Sequence, residues 1–404
     1  MHQSKKILTY LVFIFIFLFL TVSCVMAKEN IYFMRNNDIW LLDLNTNNYK
    51  QFTNSGKYYD IVLSPDKTKA AYIVNLKRND MGGYSGILAA SNIDGTGEII
   101  YKDISVFPGQ FSWSPDGKKI AVIPETEKLT ILDYETGKTA PLEIEAEKIW
   151  YPSWSPDGKK IALRASKKGI GDVLIYNTES KDTVSAYESL FKWGSGYFPA
   201  PADWTPDSKK IVFEIQQLNN ANNKLLVEDL ETGEVEQIGE GFSPLFSSKG
   251  NMIAFIAFKQ DMNQDNIVDL MDADIYIYYM DSKETKNITK SPEPERIVAW
   301  AEEIDKILYN QIYYQGNKET ANLHSANIAY GTNQELIKNA YGLAWEEKGK
   351  AVGIASTTPA ADKTETPEKT SKTKAATLPF IIIFLLIAVL AAAVLIMRIK
   401  RKNM

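Results

Sequence analysis

Apolar and polar positions follow one recurring rhythm through most of the chain. FSWSPDGKKIAVI, from Phe111, is an apolar stretch ending in tryptophan, then a polar turn, two lysines and an apolar run. PSWSPDGKKIALR, from Pro152, and ADWTPDSKKIVFE, from Ala202, repeat it almost letter for letter, and VLSPDKTKAAYI, from Val62, is close. Weaker copies are PLFSSKGNMIAFI from Pro244, IVAWAEEIDKILY from Ile297 and GLAWEEKGKAVGI from Gly342. The key apolar position falls at Leu63, Trp113, Trp154, Trp204, Phe246, Trp300 and Trp345, with spacings of 50, 41, 50, 42, 54 and 45. Five of the eight tryptophans occupy it, which chance would not arrange.

A period of 40–50 residues with strand-type composition predicts an all-β fold, a β-propeller of four-stranded blades. Strand A ends at the key position. Ser-Pro-Asp-Gly is a tight turn, with proline presetting φ, aspartate bonding locally and glycine taking positive φ. Strand B follows as KKIAVI, strand C as DIWLLDL (38–44) or DIYIYYM (274–280), and strand D comes after a second polar turn such as Glu135-Thr136-Gly137. Seven A strands and seven C–D pairs predict one ring of seven blades. The last blade takes A from about 341–345 and C–D from 38–53, joining the two ends of the repeat region and removing open edges. Its B strand has two candidates, 31–35 and 350–355.

The ends are apolar blocks. Ile7 to Val22 follows Lys5 and Lys6 and precedes Val25-Met26-Ala27, the layout of a signal peptide over 1–27. Cleavage after Ala27, an uncleaved anchor, and lipidation at Cys24 are the three readings. Leu378 to Met397 holds twenty residues without a charge, enough for a helix of roughly 30 Å, the hydrocarbon thickness. It is expected to span a membrane, with the basic tail 398–404 in the cytoplasm and the propeller, 28–355, outside. Between them 356–377, rich in Thr, Lys, Pro and Glu, reads as a disordered linker.

Charge sharpens when divided. The two ends carry +2 and +4 and the linker +1, so 28–355 carries −12 of a whole-chain net of −5. An acidic outer domain argues against nucleic acid as a partner. With no cysteine after Cys24, its core must hold it without disulfides.

The W-[ST]-P-D-[GS]-K-K-I pattern resembles the repeat of TolB-type, WD40-like propellers, and also occurs in the propeller domains of prolyl-oligopeptidase-like peptidases. The TolB resemblance implies the propeller fold and a protein-binding role at the cell envelope. A peptidase would need a nucleophile elbow G-x-S-x-G, which the sequence does not contain. With only His2 and His324, a Ser-His-Asp or histidine–metal site is not expected. His324 reads as a structural residue.

One segment stands out chemically. Asp261, Asn263, Asp265, Asp269 and Asp272 fall at positions 1, 3, 5, 9 and 12 of a loop, with the carbonyl of Ile267 at 7. This is the ligand spacing of an EF-hand-type calcium loop, with Asn266 where glycine is usual and the shorter Asp272 at position 12. Calcium here would be structural, stiffening a B–C loop.

Strand order puts the short A–B and C–D turns on one face and the variable B–C and D–A loops on the other. Tyr58, Tyr59, Phe107, Trp150, Tyr151, Tyr197, Phe198 and Tyr341 fall just before strand A and are expected to ring the channel mouth. Aromatic anchors of this kind suit binding. The expected function is a non-catalytic, membrane-tethered module for an envelope or extracellular protein. A cell-wall polysaccharide binder is the alternative, and a calcium-dependent lactonase-type enzyme the second. The acids nearest the key positions, Asp60, Asp203 and Glu295, are scattered along the sequence, which argues against the enzyme.

Overall fold

Each repeat becomes four antiparallel strands in the computed structural model, which describes residues 30–44, 46–78, 83–167, 170–192, 201–215, 223–258, 272–301, 306–315 and 318–346. The chain divides into two compact units, Met1–Ala361 and Asp362–Met404, and the described residues all belong to the first. Blade 1 begins with β1 (Asn30–Arg35), β2 (Asp38–Asp43) and β3 (Asn48–Gln51). Blade 2 holds β4 (Tyr59–Leu63), β5 (Lys69–Arg78), β6 (Tyr84–Asn92) and the first half of β7 (Ile99–Trp113). Blade 3 takes the rest of β7, β8 (Lys119–Pro124), β9 (Thr130–Asp133) and β10 (Thr139–Pro141). Blade 4 is β11 (Lys148–Trp154), β12 (Lys160–Lys167), β13 (Ile170–Asn177) and β14 (Thr183–Lys192). Blade 5 is β15 (Asp203–Trp204), β16 (Lys210–Ile215), β17 (Asn223–Asp229) and the start of β18 (Glu234–Phe246). Blade 6 takes the end of β18, β19 (Met252–Ala257), β20 (Asp274–Tyr279) and β21 (Glu284–Asn287). Blade 7 is β22 (Glu295–Ala301), β23 (Lys306–Gln315), β24 (Lys318–Asn327) and β25 (Asn333–Ile337).

The final strand, β26 (Tyr341–Glu346), returns to blade 1 and pairs antiparallel with β1, Ile31 opposite Trp345. The missing B strand of blade 1 is therefore the N-terminal candidate. The other candidate, 350–355, lies outside the described residues, as do the apolar segments 7–22 and 378–397. Among the described residues no helix is long and apolar enough to cross a membrane.

The core lies between blades. Seven apolar clusters fill the seven blade interfaces, from Tyr32, Ile39, Ile61 and Tyr72 between blades 1 and 2 to Phe33, Leu42, Val298 and Leu308 between blades 7 and 1. Strand B explains the continuous apolar runs. Ala70, Tyr72 and Val74 pack toward blade 1, and Ala71 and Ile73 toward blade 3, so both faces of the strand are buried. The key tryptophans sit in these interfaces. Trp113 Nε1 donates to Val62 O (3.0 Å), Trp204 Nε1 to Ser153 O (3.2 Å) and Trp300 Nε1 to Leu245 O (3.2 Å), each onto the preceding blade's strand A. Apolar burial and one directional bond thus set the stagger of neighbouring blades.

The recurring turn is held by its own side chains. Ser114 Oγ donates to Asp116 Oδ1 (2.6 Å) and accepts from Lys119 N (2.9 Å), and Asp116 accepts from Lys118 N (3.1 Å). The same bonds recur at Ser155/Asp157 and Thr205/Asp207. Positive φ falls at Gly117, Gly158 and Ser208. These aspartates are spent on the turn, and their bonds hold them below the usual carboxylate range despite some burial.

Candidate functional site

Strand A of several blades begins with a bulge. Its pairing with strand B slips between Tyr59 and Val62, Val106 and Phe111, Trp150 and Ser153, and Phe242 and Leu245. Bulges bend a strand and re-aim its side chains. Each of these corners holds a residue at positive φ: Asp60 (48°), Gly109 (77°), Tyr151 (53°) and Ser243 (50°). Glycine takes this conformation freely. A tyrosine there is strained by roughly 1–3 kcal/mol, and its surroundings must hold it. The A strands touch from blade to blade, β4 against β7, β7 against β11, and β26 against β4. The corners therefore stand side by side along the inner edge of the blades, on the face of the D–A loops.

They interlock. Asp60 Oδ2 accepts from Gly109 N at 2.7 Å, joining blade 2 to blade 3. A Cβ on Gly109 would lie 2.9 Å from Cε1 of Tyr151, so only glycine lets the tyrosine ring settle over this corner. Tyr151 N donates to Oε1 of the buried Gln110 at 3.2 Å, joining blade 4 back to blade 3. Further round, Ser243 N donates to Glu214 Oε2 (3.3 Å) and Phe246 N to Asp203 Oδ2 (2.7 Å), joining blade 6 to blade 5.

Buried charge gathers around Tyr151. Burial, with the Asp60 and Glu214 carboxylates adding and Arg164 opposing, pushes its hydroxyl up to about 12. Arg164 and Glu214 are each 1% exposed, and the Arg164 guanidinium lies 5.9 Å from the Phe213 ring centre. Burial pushes Asp60 up to about 7, against the lowering effect of the Gly109 bond. Asp203 is likewise raised to about 7 by burial, against bonds from Phe246 and Trp204. The corners thus hold carboxyl groups whose acidity is weakened by loss of water around them.

Of the aromatics expected at the mouth, Tyr59, Phe107, Trp150 and Tyr151 are half-buried on these corners. Tyr58 and Tyr341 differ from the expectation of exposed anchors. Tyr58 is 4% exposed and meets Tyr72 edge-on at 4.5 Å, and Tyr341 is 8% exposed within the core of blades 1 and 2. Tyr58 directly precedes β4 and Tyr341 opens β26, and both pack into the core shared by blades 1 and 2. Tyr197 and Phe198 lie outside the described residues. So do Asp261, Asn263, Asp265, Ile267 and Asp269. Asp272, the remaining member of the calcium loop, is buried beside the start of β20. His324 is buried in β24, tilted against Tyr309 at 5.4 Å.

Sequence reasoning passed over Arg164 and Glu214. Aligning the B strands exposes the signal: the equivalent residues are Met34, Ile73, Ile123, Arg164, Glu214, Ile256 and Asn310. A charge at an aliphatic position of a fully covered strand marks a site. Asp60 is joined near Tyr151 by Glu214, an acid outside the three read from the sequence.

No protein-family profile matches the chain, and no curated protein matches it. Solved structures do. A TolB from Acinetobacter baumannii is 18% identical, with a TM-score of 0.44, over 64% of this chain and 63% of its own length. The chain thus spans less than two thirds of that protein. An oligogalacturonate lyase in complex with manganese is 16% identical, with a TM-score of 0.51, over 72% of this chain and 82% of that one. The β-propeller domain of the Trilobed protease from Pyrococcus furiosus is 20% identical, with a TM-score of 0.47, over 70% and 86%. The oligogalacturonate lyase, at a TM-score of 0.51, shares the fold of this chain.

Proposed function

We propose that the protein is a non-catalytic binding module, a single seven-bladed propeller held outside a membrane by the segment 378–397. Its partner is an envelope or extracellular protein, and its recognition surface is the face of the B–C and D–A loops. The interlocked corners at Asp60, Gly109 and Tyr151 carry this reading. A strained tyrosine, held by Gly109 and Gln110 of the neighbouring blade and preceded by half-buried Trp150, is an anchor ordered before any ligand arrives. The test uses the full chain in detergent as bait for envelope proteins, with purified cell-wall polysaccharide in parallel. A specific protein partner should bind, and Tyr151→Ala with Phe107→Ala should weaken it at least about tenfold, the cost of losing a central aromatic anchor. Retention of polysaccharide alone would replace this reading with the carbohydrate one.

One observation favours a second reading, a lactonase-type enzyme: the Asp60 and Glu214 carboxylates converge electrostatically on Tyr151. Calcium-dependent turnover of a lactone, lost in Glu214→Gln, would carry it instead.

A further inference from the structure

Asp60 occupies an unusual place among the buried acids. It is 5% exposed, sits at positive φ in the bulge of β4, and spans to the bulge of β7 through Gly109 N. Gly109 in turn lies beneath the ring of Tyr151, whose own amide is tied to Gln110. The carboxyl group joins blades 2 and 3, and blade 4 rests on the same corner through Tyr151. The residues on either side of the Asp60 bulge, Tyr59 and Val62, pair with the apolar Ile73 and Ala71 of β5. Among the described residues Tyr151 on β11 is the titratable group that couples to it, and Tyr151 also feels Arg164 on β12 and Glu214 on β16. Among the described residues neither a lysine nor an arginine offsets the charge of Asp60; burial raises its pKa and the Gly109 bond lowers it.

We infer that Asp60 is a proton-operated clasp that closes the inner corners of blades 2, 3 and 4 when protonated and loosens them when it ionises. The direction follows from linkage. Ionisation is disfavoured in the closed corner and ordinary in one opened to water, so loss of the proton favours opening. The Gly109 bond opposes this and does not cancel it. The corners carry Phe107 and Tyr151, so recognition at this face becomes proton-linked; that last step rests on the function proposed above, whereas the clasp does not.

Hydrogen exchange of the full chain in detergent, from pH 5 to 8 and corrected for intrinsic rates, reads the clasp without a partner. Protection of the Gly109 amide should fall by up to about tenfold per pH unit as the pH rises toward 7, then level off. In Asp60→Asn, whose side-chain oxygen can still accept from Gly109 N, protection should be flat with pH, while Asp203→Asn should keep the wild-type slope. A flat wild-type profile, or an unchanged slope in Asp60→Asn, overturns the inference. The wild-type profile decides by itself should the variant not fold. Where a partner has been found, its affinity should change with pH across the same range in wild type and not in Asp60→Asn. A slope at Gly109 with pH-independent binding would keep the clasp and remove its role in recognition.

Discussion

At the residue scale, the protein uses carboxylates in two opposite ways. The turn aspartates Asp66, Asp116, Asp157 and Asp207 are bonded by hydroxyls and backbone amides, and their acidity is strengthened. They stabilise the fold above the ordinary carboxylate range and lose that effect as pH falls. Asp60 and Glu295 are buried and Asp203 is half-buried, and removal of the carboxyl groups from water raises all three. For Asp60 and Asp203 the contribution is complete below about pH 4 and is lost as pH rises through about 7. Stability should therefore be greatest in mildly acidic solution, with Tm falling between pH 5.5 and 8. Asp203→Asn removes one of the groups responsible. It should raise Tm at pH 8 and leave it nearly unchanged at pH 4; a lower Tm at pH 8 would show that the bond to Phe246 N outweighs the burial of charge. The turn chemistry was legible in the letters Ser-Pro-Asp-Gly, because every partner lies within five residues. Arg164 and Glu214 were not, because their roles depend on neighbouring blades that no local pattern brings together.

At the element scale, strands and their order were legible from the repeat, since a strand covered on both faces must be apolar throughout. The B strand of blade 1 was not. Two short apolar segments satisfied the same pattern, and only the pairing of Phe33 with Trp40 and of Ile31 with Trp345 decides for β1. The mouth aromatics were legible as positions but not as exposures, because Tyr58 and Tyr341 stand where a loop turns into the core. The loop between β19 and β20 carries the proposed calcium ligands. Titration of the full chain with calcium should release binding heat in wild type and none in Asp261→Ala or Asp265→Ala. Equal heat in all three would mean that the acidic residues serve only to solvate the loop.

At the scale of the whole molecule, charge and apolar segments set the proposed arrangement. The −12 region, 28–355, lies between basic ends, and 378–397 is long enough to span a bilayer as a helix. Removing 378–404 should release the propeller from the membrane fraction with its circular dichroism unchanged. Continued sedimentation with membranes would assign the anchor to the N-terminal block instead.

The pairing of β26 with β1 also has a consequence in time. The two strands are separated by roughly 300 residues, or about 15–60 s of synthesis at ordinary rates. Throughout that interval β1 presents an unpaired edge whose sequence, NIYFMR, is buried almost throughout in the finished fold. The nascent chain thus carries an adhesive strand until its last repeat emerges. Blade 1 is the last to be completed although most of it is made first, and a chain shortened before Tyr341 would keep that edge open.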